Sequence, residues 1–308
     1  MGVMRTALLK IAGNERLGQR AQRNWFMRRA VRRFMPGEKL ESAIEASRML
    51  RDHGLRTIFT KLGENIGNRS EAYANVEHYL DVLRRITALN LPGVLSVKLT
   101  QLGLDLDREL CFENLRRIIE GAHGDDIVWI DMESSSYVDA TLEVYRRARA
   151  IHANVGVCLQ SYLYRTAKDL DELLPLGPAI RLVKGAYKER AEVAYPRKKD
   201  VDENFFRLAG VLLSEEARRA GARTVIATHD RSLVHRVQAL VLARGLGKGS
   251  LEFQMLYGIQ RWEQLRLARD GWRAGVLVSY GKDWFPWFMR RLAERPANVL
   301  FLVRNLVS

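Results

Sequence analysis

Six short apolar runs, each with the composition of a β-strand, end on polar side chains that suit binding or catalysis. The runs are VLSVKLTQ (94–101), IVWIDMES (127–134), VGVCLQS (155–161), IRLVKGAY (180–187), TVIATHD (224–230) and LEFQ (251–254). The polar residues near their C-terminal ends are Lys98, Asp131, Gln160, Lys184, His229 and Gln254. In a (βα)8 barrel the C-terminal ends of the strands face the substrate. Polar groups repeated at this one position therefore predict a parallel barrel with its active site at the top.

Two further strands, at 56–64 and 272–279, complete eight strand–helix units. Helices are expected at 38–53, 68–88, 107–121, 136–152, 166–174, 202–220, 231–245 and 284–294. The first of them ends at Gly54, a favourable residue after a helix C-terminus. The chain has no G-x-G-x-x-G turn, which argues against a doubly wound dinucleotide-binding sheet. We expect an α/β fold, a (βα)8 TIM-type barrel over 55–308 with an N-terminal helical arm over 1–54.

The net charge of +14 on 308 residues limits the classes of partner. Such a surface attracts nucleic acid or anionic membranes. Arg and Lys are mixed with Glu and Asp along the predicted helices and no nucleic-acid-binding motif is present, so we expect no nucleic-acid partner. The densest basic patch lies in the arm, at Arg20, Arg23, Arg28, Arg29, Arg32 and Arg33. That patch is compatible with a peripheral membrane contact, a subunit contact or a solvated helix.

The two cysteines, Cys111 and Cys158, indicate a reducing compartment rather than a disulfide framework. Cys158 lies inside an apolar run and is expected to be a buried, inert thiol. No apolar segment approaches the roughly 18 residues of a membrane span, and the N-terminus lacks the apolar stretch of a secretory signal. We expect a cytoplasmic protein, with peripheral contact at the inner membrane face as an open alternative.

A larger set of polar side chains is expected to converge at the barrel top. Its members are Glu64, Lys98, Asp131, Glu133, Gln160, Arg181, Lys184, His229 and Gln254. Several cations together with amides suit a phosphate-bearing cofactor and an acidic substrate. Gly185 and Ala186 are small, so a cofactor could approach the backbone there. No His, Cys or carboxylate spacing is typical of zinc, so no metal is expected.

Arg290 and Arg291 lie side by side on the last predicted helix, about 100° apart around its axis. Two guanidinium groups can bind one carboxylate with strong and specific geometry. They can do so here only if the helix lies across the barrel mouth. Otherwise the pair belongs to an exposed basic helix.

Seven motifs, in this order, resemble the proline dehydrogenases. They are KLTQLGLDL, IDMESS, LQSYLYRT, RLVKGAY, ATHD, FQMLYG and RRLAERP, and they span nearly the whole chain. The resemblance is to the short monofunctional bacterial type. It implies a distorted (βα)8 barrel that binds FAD noncovalently and oxidises L-proline to Δ1-pyrroline-5-carboxylate. It also implies a quinone as electron acceptor and a pyrroline-5-carboxylate dehydrogenase as a partner in proline catabolism.

The resemblance implies a substrate site built around the arginine pair. Arg290 and Arg291 would grip the substrate carboxylate with help from Lys98, and Asp131 would orient these cations. Glu64 would pair with Arg291 as a gate when the site is empty. The residues implied to contact substrate are Lys98, Tyr187, Leu256, Leu277, Trp287, Arg290 and Arg291.

The resemblance also implies a flavin site and a reaction. The flavin-binding residues would be Asp131, Gln160, Arg181, Lys184, Gly185, Ala186, Thr228, His229 and Glu294. Arg181 would lie near flavin N5, with Gln160 on the pyrimidine edge. A hydride would pass from the ring carbon next to nitrogen to flavin N5, and the substrate amine must be neutral to release it. The catalytic set would be Lys98, Asp131, Arg181, Arg290 and Arg291.

Three positions depart from the family pattern. Leu277 stands where members carry Tyr, Ser279 where they carry Pro, and Trp287 where they carry Tyr. The substrate is therefore either L-proline, with Trp287 and Tyr280 filling the space, or a substituted or larger cyclic amino acid such as a hydroxyproline. A methylene-sized difference is worth only about 1–3 kcal/mol. A third hypothesis is a barrel that binds a cyclic amino acid without turnover. It is disfavoured because the implied catalytic set is present.

Overall fold

Eight parallel strands close into a barrel in chain order in the computed structural model, which describes residues 24–124 and 126–294. The strands are β1 (Arg56–Lys61), β2 (Gly93–Val97), β3 (Val128–Ile130), β4 (Val155–Gln160), β5 (Ala179–Val183), β6 (Arg223–Ala227), β7 (Leu251–Leu256) and β8 (Arg273–Tyr280). The ladder between β8 and β1 closes the sheet. The predicted (βα)8 fold is therefore confirmed.

Helices follow the strands along the chain. They are α1 (Trp25–Val31), α2 (Leu40–Arg51), α3 (Arg69–Ala88), α4 (Arg108–Gly121), α5 (Val138–Ile151), α6 (Thr166–Leu173), α7 (Lys198–Leu212), α8 (Glu215–Arg219), α9 (Arg231–Ala243), α10 (Arg261–Arg269) and α11 (Trp284–Glu294). The predicted helix at 202–220 is two helices, because Ser214 caps a new one by accepting from the backbone N of Ala217. Helix α10 is missing from the sequence prediction. It begins after Gln260, which has a φ of 54° and provides no side-chain cap.

Two of the predicted strands are shorter than expected. Strand β2 ends at Val97 and is followed by a 3-10 turn at Leu99–Leu102, and β3 has only three residues. The apolar residues beyond these strands, such as Leu102 and Met132, are buried in loops. Buried loop residues continue the apolar pattern of the strand, so the sequence alone does not show where the strand ends.

The interior of the barrel is apolar at the bottom and polar at the top. A compact cluster fills the lower interior with Ile58, Val94, Ile127, Trp129, Ala179 and Val225. Side chains alternate between the two faces of a strand. The next inward positions above this cluster are therefore Thr60, Ser96, Asp131, Arg181 and Ser279. This polar layer forms the floor of the barrel mouth.

Helix α2 occupies the flank of β1 and β8, where the last helix of a regular barrel would pack. Helix α11 instead packs with Val31, Phe34 and Met35 of the arm in a separate apolar cluster. Trp284 Nε1 donates to Glu38 Oε1 at 3.2 Å, which ties the helix to the arm again. The arm therefore holds α11, and with it the arginine pair, away from the barrel flank.

A close backbone contact joins the arm to the loop after β7. Gly258 has a φ of 74°, and a Cβ placed there would lie 1.6 Å from the carbonyl oxygen of Arg33. Only glycine fits this approach. Arg20 and Arg23 of the predicted basic patch lie outside the described residues. Among the residues that are described, no helix has the length and hydropathy of a membrane span.

Candidate active site

Asp131 connects three strands at the floor of the mouth. Its Oδ1 accepts from Ser96 Oγ at 2.6 Å and from Arg181 Nη1 at 3.1 Å. Its Oδ2 lies 3.8 Å from Lys98 Nζ. One carboxylate therefore faces two cations, Arg181 of β5 and Lys98 at the end of β2. Both cations are among the predicted catalytic residues.

Arg181 is the most deeply buried charge of this group, with 2% of its surface exposed. Its guanidinium lies 4.7 Å from the ring centroid of Trp129, and its Nη1 is 3.6 Å from Cys158 Sγ. Burial raises the pKa of Cys158 to about 12, so this thiol is inert, as its apolar setting in the sequence predicts. Arg181 thus stands on an aromatic face with its charge balanced by Asp131.

Several buried polar atoms in the barrel interior have no hydrogen-bond partner among the described residues. They are Thr60 Oγ1, Gln160 Oε1, Arg181 Nε and Nη2, Gln254 Oε1 and Ser279 Oγ. Buried polar groups in proteins are normally hydrogen-bonded, so such a set suggests a polar ligand. The atoms include both donors and acceptors and come from β1, β4, β5, β7 and β8. A flat polar ring system with donors and acceptors on its edges fits this layer.

Gln160 is bound to the loop of Glu133, and Glu133 is bound to the turn after β2. Gln160 Nε2 donates to the carbonyl oxygen of Glu133 at 3.1 Å. The Glu133 carboxyl accepts from Thr100, from the backbone N at 3.3 Å and from Oγ1 at 2.9 Å. Both side chains belong to the set expected at the barrel top, and the structure brings them there.

The predicted carboxylate pair forms with the other arginine. Glu64 accepts from Arg290, at 2.6 Å from Nη2 and 3.3 Å from Nη1, so the expected pairing of Glu64 with Arg291 is wrong in this structure. Tyr187 Oη also donates to Glu64, at 3.2 Å, and the Arg290 guanidinium lies 5.4 Å from the Tyr187 ring. Burial raises the pKa of Tyr187 well above its ordinary value. Because α11 is joined in this way to the loops after β1 and β5, it lies across the mouth.

Arg291 and the predicted pocket walls lie near this pair. The Arg291 guanidinium is 5.8 Å from the ring of Trp287, which is itself buried. Leu256 packs against the α11 cluster, and it pairs in register with Leu277 on β8. Leu277 also packs on the lower barrel cluster, so it lies where that cluster meets the wall of the predicted substrate pocket.

Lys184 lies in a ring of charges beside small residues. Its Nζ donates to Asp202 at 2.5 Å and to Asp230 at 2.9 Å, and Lys198 pairs with the same two carboxylates. Gly185 follows with a φ of 115°, and a Cβ there would lie 2.3 Å from the Tyr162 ring. The backbone of Gly185 therefore passes close to the Tyr162 ring, and the expected approach of a cofactor to Gly185 and Ala186 stays a prediction.

The remaining predicted cofactor residues are Thr228, His229 and Glu294, and the first two form local hydrogen bonds at the mouth. His229 Nε2 accepts from the backbone N of Leu256 at 2.9 Å, which joins β6 to β7 at the mouth. Thr228 is buried, and its hydroxyl accepts from the backbone N of Asp230. The side chain of Glu294 lies outside the described part of the structure.

Tyr280 does not fill the substrate space. Its hydroxyl lies 2.8 Å from Nε2 of His78 on α3, outside the barrel. The cause is strand alternation, which points Leu277 and Ser279 inward and Tyr280 outward. Burial lowers the pKa of His78 to about 4, and nearby Lys61 adds to this effect.

Several residues of the site, among them Ser96 and Asp202, are missing from the sequence prediction. Ser96 lies two positions after the inward Val94 on β2, so alternation along the strand could have identified it. Asp202 lies in α7, far along the chain from the strand end that it supports, and no local pattern marks it.

Comparisons with known proteins agree with this architecture. The family model described as Proline dehydrogenase matches residues 43–304. Proline dehydrogenase of Deinococcus radiodurans is 40% identical over 315 residues, which cover 99% of this chain and 98% of the relative. Proline dehydrogenase 2 of Bacillus subtilis is 39% identical over 287 residues, which cover 93% of both chains.

Solved structures show the same fold inside longer chains. Proline utilization A of Bdellovibrio bacteriovorus matches with a TM-score of 0.78 at 23% identity, over 87% of this chain and 33% of that one. The Corynebacterium freiburgense protein of the same name matches with a TM-score of 0.73 at 21% identity, over 98% of this chain and 34% of that one. From the family model and the relatives at 39–40% identity, the chain belongs to the proline dehydrogenase family and is an oxidoreductase of that type.

Proposed function

We propose that this enzyme oxidises L-proline to Δ1-pyrroline-5-carboxylate with FAD as its cofactor. The observation that carries the proposal is the position of the arginine pair. Arg290 is bound to Glu64 at the mouth, Arg291 follows it on α11, and the floor of the mouth is a layer of buried polar atoms that have no partner among the described residues. An amino acid held by its carboxylate at the arginines would place its ring against a cofactor in that layer.

The fit to FAD rests on the chemistry of the inward side chains. Arg181 offers Nε and Nη2 as donors, and Gln160 offers Oε1 as an acceptor. Both suit the polar edge of an isoalloxazine ring, which when bound supplies a hydride acceptor at N5. The Arg181 cation favours negative charge that develops beside it in a site shielded from water. Lys184, with Gly185 and Ala186, would offer a cation beside partly exposed backbone for the phosphates.

The substrate carboxylate is proposed to bind between the two arginines and Lys98. Charge-assisted bonds from guanidinium groups to a carboxylate are strong and directional. Binding there would require Glu64 to leave Arg290, because both carboxylates need the same donors. Leu256, Leu277, Trp287 and Tyr187 would then enclose the ring and exclude water.

A substituted cyclic amino acid is the second candidate substrate. Ser279 Oγ is buried, faces the barrel interior and has no partner among the described residues. A hydroxyl group on the substrate ring would give it one. Leu277 also leaves more room than the tyrosine that the family pattern carries. Hydroxyproline therefore belongs beside proline in any substrate screen.

The partners beyond the substrate are proposed from the family chemistry. Electrons would pass to a quinone, and the product to a pyrroline-5-carboxylate dehydrogenase. The chain matches 24% of the length of bifunctional protein PutA of Escherichia coli, so related catalytic units also occur inside bifunctional chains. A cytoplasmic enzyme could reach a membrane quinone through a peripheral contact at the inner membrane face. The exposed Arg29, Arg32 and Arg33 of the arm are the candidate residues.

An anaerobic flavin-reduction screen tests the proposal. The purified protein is reconstituted with FAD and mixed with L-proline, hydroxyproline and pipecolate without oxygen. With L-proline, we expect the bound flavin to lose its visible absorbance at least as fast as the enzyme turns over. D-proline serves as the matched control. Saturable binding of L-proline without flavin reduction would support a barrel that only binds amino acids. Failure to bind FAD at all would overturn the proposed function.

A further inference from the structure

Glu133 is a buried carboxyl group at the barrel mouth, with 4% of its surface exposed, and none of the roles above uses its side chain. Both carboxyl oxygens accept from one neutral residue, Thr100, at 3.3 Å and 2.9 Å. Among the described residues no Arg or Lys lies within ion-pair distance of it. Burying a carboxylate without a paired cation costs free energy, so the charged form of Glu133 is less stabilised than that of an ion-paired acid.

The surroundings of Glu133 favour a proton affinity near neutrality. Burial raises the pKa of Glu133 to about 7, although Lys98 and the hydrogen bonds from Thr100 oppose the shift. The charged and titratable groups on the elements around it are Glu64, Lys98, Asp105, Cys111, Asp131, Tyr137 and Tyr187. An acid–base group works best when its pKa lies near the working pH.

The other carboxylates of the mouth form ion pairs. Asp131 faces Arg181 and Lys98, and Glu64 is bound by two nitrogens of Arg290. The oxygens of both residues are therefore already engaged by cations of the site. Glu133 differs because its partners are a neutral backbone N–H and a neutral hydroxyl, and the hydroxyl can turn to accept a hydrogen bond when the carboxyl is protonated.

We propose that Glu133 is the proton acceptor of this site and takes the proton that the ring ammonium of the substrate must release before oxidation. The inference rests on the proposed function, because it requires a cyclic amine in the mouth. The N–H bond breaks, its electron pair stays on nitrogen, and the proton forms an O–H bond on the carboxylate. A neutral amine and a neutral carboxylic acid result, and no oxidation state changes. The freed lone pair would then be available to form the C=N bond when the hydride passes to the acceptor that the proposed flavin would supply.

Glu133→Gln tests the assignment, because it keeps the shape and hydrogen-bonding capacity of the side chain but cannot take a proton. At about pH 7 we expect kcat/KM for L-proline to fall roughly 100-fold. As the pH is raised above about 7, the deficit in kcat/KM relative to the parent enzyme should shrink about tenfold with each pH unit. The reason is that more substrate then arrives as the neutral amine. FAD content and affinity for the ring-oxygen analogue of proline, which carries no ammonium, should remain unchanged.

Thr100→Val is the second variant, and it keeps the carboxyl group. It removes a hydrogen bond that favours the charged form, so the pKa of Glu133 should rise. The acid limb of the kcat/KM profile should move to higher pH, by about half a unit or more. A purely structural role for Glu133 does not predict this direction.

Two outcomes would overturn the inference. One is a Glu133→Gln enzyme with the same kcat/KM and the same acid limb as the parent enzyme. The other is a deficit that stays constant from about pH 6 to about pH 10, since the neutral amine should bypass a missing base. Either result would leave the proposed function standing if the parent enzyme is reduced by L-proline. A parent enzyme that no cyclic amino acid reduces would instead count against the proposed function.

Discussion

Arg290 donates to both oxygens of Glu64, at 2.6 Å and 3.3 Å, and so ties α11 to the loop that follows β1. The two side chains are 16% and 21% exposed, so solvent screens the pair only in part. In the proposed function, the carboxylate of an incoming substrate would need the same donors. The pair would then close the mouth and compete with the substrate.

Removal of the Glu64 charge should strengthen carboxylate binding. In Glu64→Gln the Arg290 guanidinium keeps a neutral partner but loses its competing anion. We expect the ring-oxygen analogue of proline to bind roughly 5- to 30-fold more tightly, which corresponds to about 1–2 kcal/mol. Titration of the bound flavin's absorbance measures the Kd. Glu113→Gln, an exposed change on α4, is the matched control, and equal affinities in the two variants would contradict the prediction.

Loss of either arginine should lower kcat/KM strongly but leave cofactor binding intact. We expect Arg290→Met and Arg291→Met to lower kcat/KM by about 100-fold or more, since each removes a charge-assisted bond to the substrate carboxylate. FAD content should stay the same because neither residue lies in the polar layer of the floor. Arg84→Met, on the exposed face of α3, controls for loss of a surface charge. Near-normal kcat/KM in either variant would show that the substrate carboxylate binds elsewhere.

Asp131 should matter for stability as well as for catalysis. Asp131→Asn leaves the buried Arg181 guanidinium without a carboxylate, and such a loss costs about 3 kcal/mol. Urea unfolding of the apoprotein should therefore show a lower free energy of unfolding. Asp139→Asn, which removes an exposed partner of Arg165, should cost no more than about 0.5 kcal/mol. Similar losses in the two variants would mean that the buried pair does not stabilise the barrel floor.

The barrel could be predicted from sequence because its strands are buried on both faces and carry their polar residues at the top. The position of the arginine pair could not be predicted from sequence, since it depends on α11 crossing the mouth. Which arginine meets Glu64 depends on the rotation of that helix. Trp284, Phe288 and Leu292 lie four residues apart and bury one face of α11. That packing turns Arg290 toward Glu64, and nothing in the local sequence around the two arginines shows it.

The outward position of Tyr280 was within reach of sequence reasoning. Leu277 and Ser279 share one face of β8, so alternation assigns the next residue to the other face. By contrast, the ring of Asp202, Asp230, Lys184 and Lys198 joins three elements that are far apart in the chain. Contacts of that kind appear only once the barrel has closed.

Leu277 should influence which ring the pocket prefers. In Leu277→Tyr the larger side chain would fill the space beside Leu256 on the inner wall. We expect the ratio of kcat/KM for proline to that for hydroxyproline to rise about 10-fold, within the 1–3 kcal/mol that small differences in shape provide. Val278→Ile, on the outer face of β8, is the matched control. An unchanged ratio would remove Leu277 from the determinants of substrate choice.

His78 should make the barrel sensitive to mild acid. Its ring is held against Tyr280 with a pKa lowered to about 4 by burial, whereas in the unfolded chain it is expected near 6.5. Below about pH 6.5 the unfolded state binds the proton more readily than the folded state, so stability falls as the pH drops toward 4. Between about pH 7 and pH 4.5 the parent protein should lose about 2 kcal/mol more than His78→Gln, which keeps a donor for Tyr280 but does not titrate. Urea unfolding at the two pH values measures both losses, and the carboxylates common to both proteins cancel in the comparison. If the two losses are equal, the His78–Tyr280 contact does not govern the acid sensitivity of the barrel.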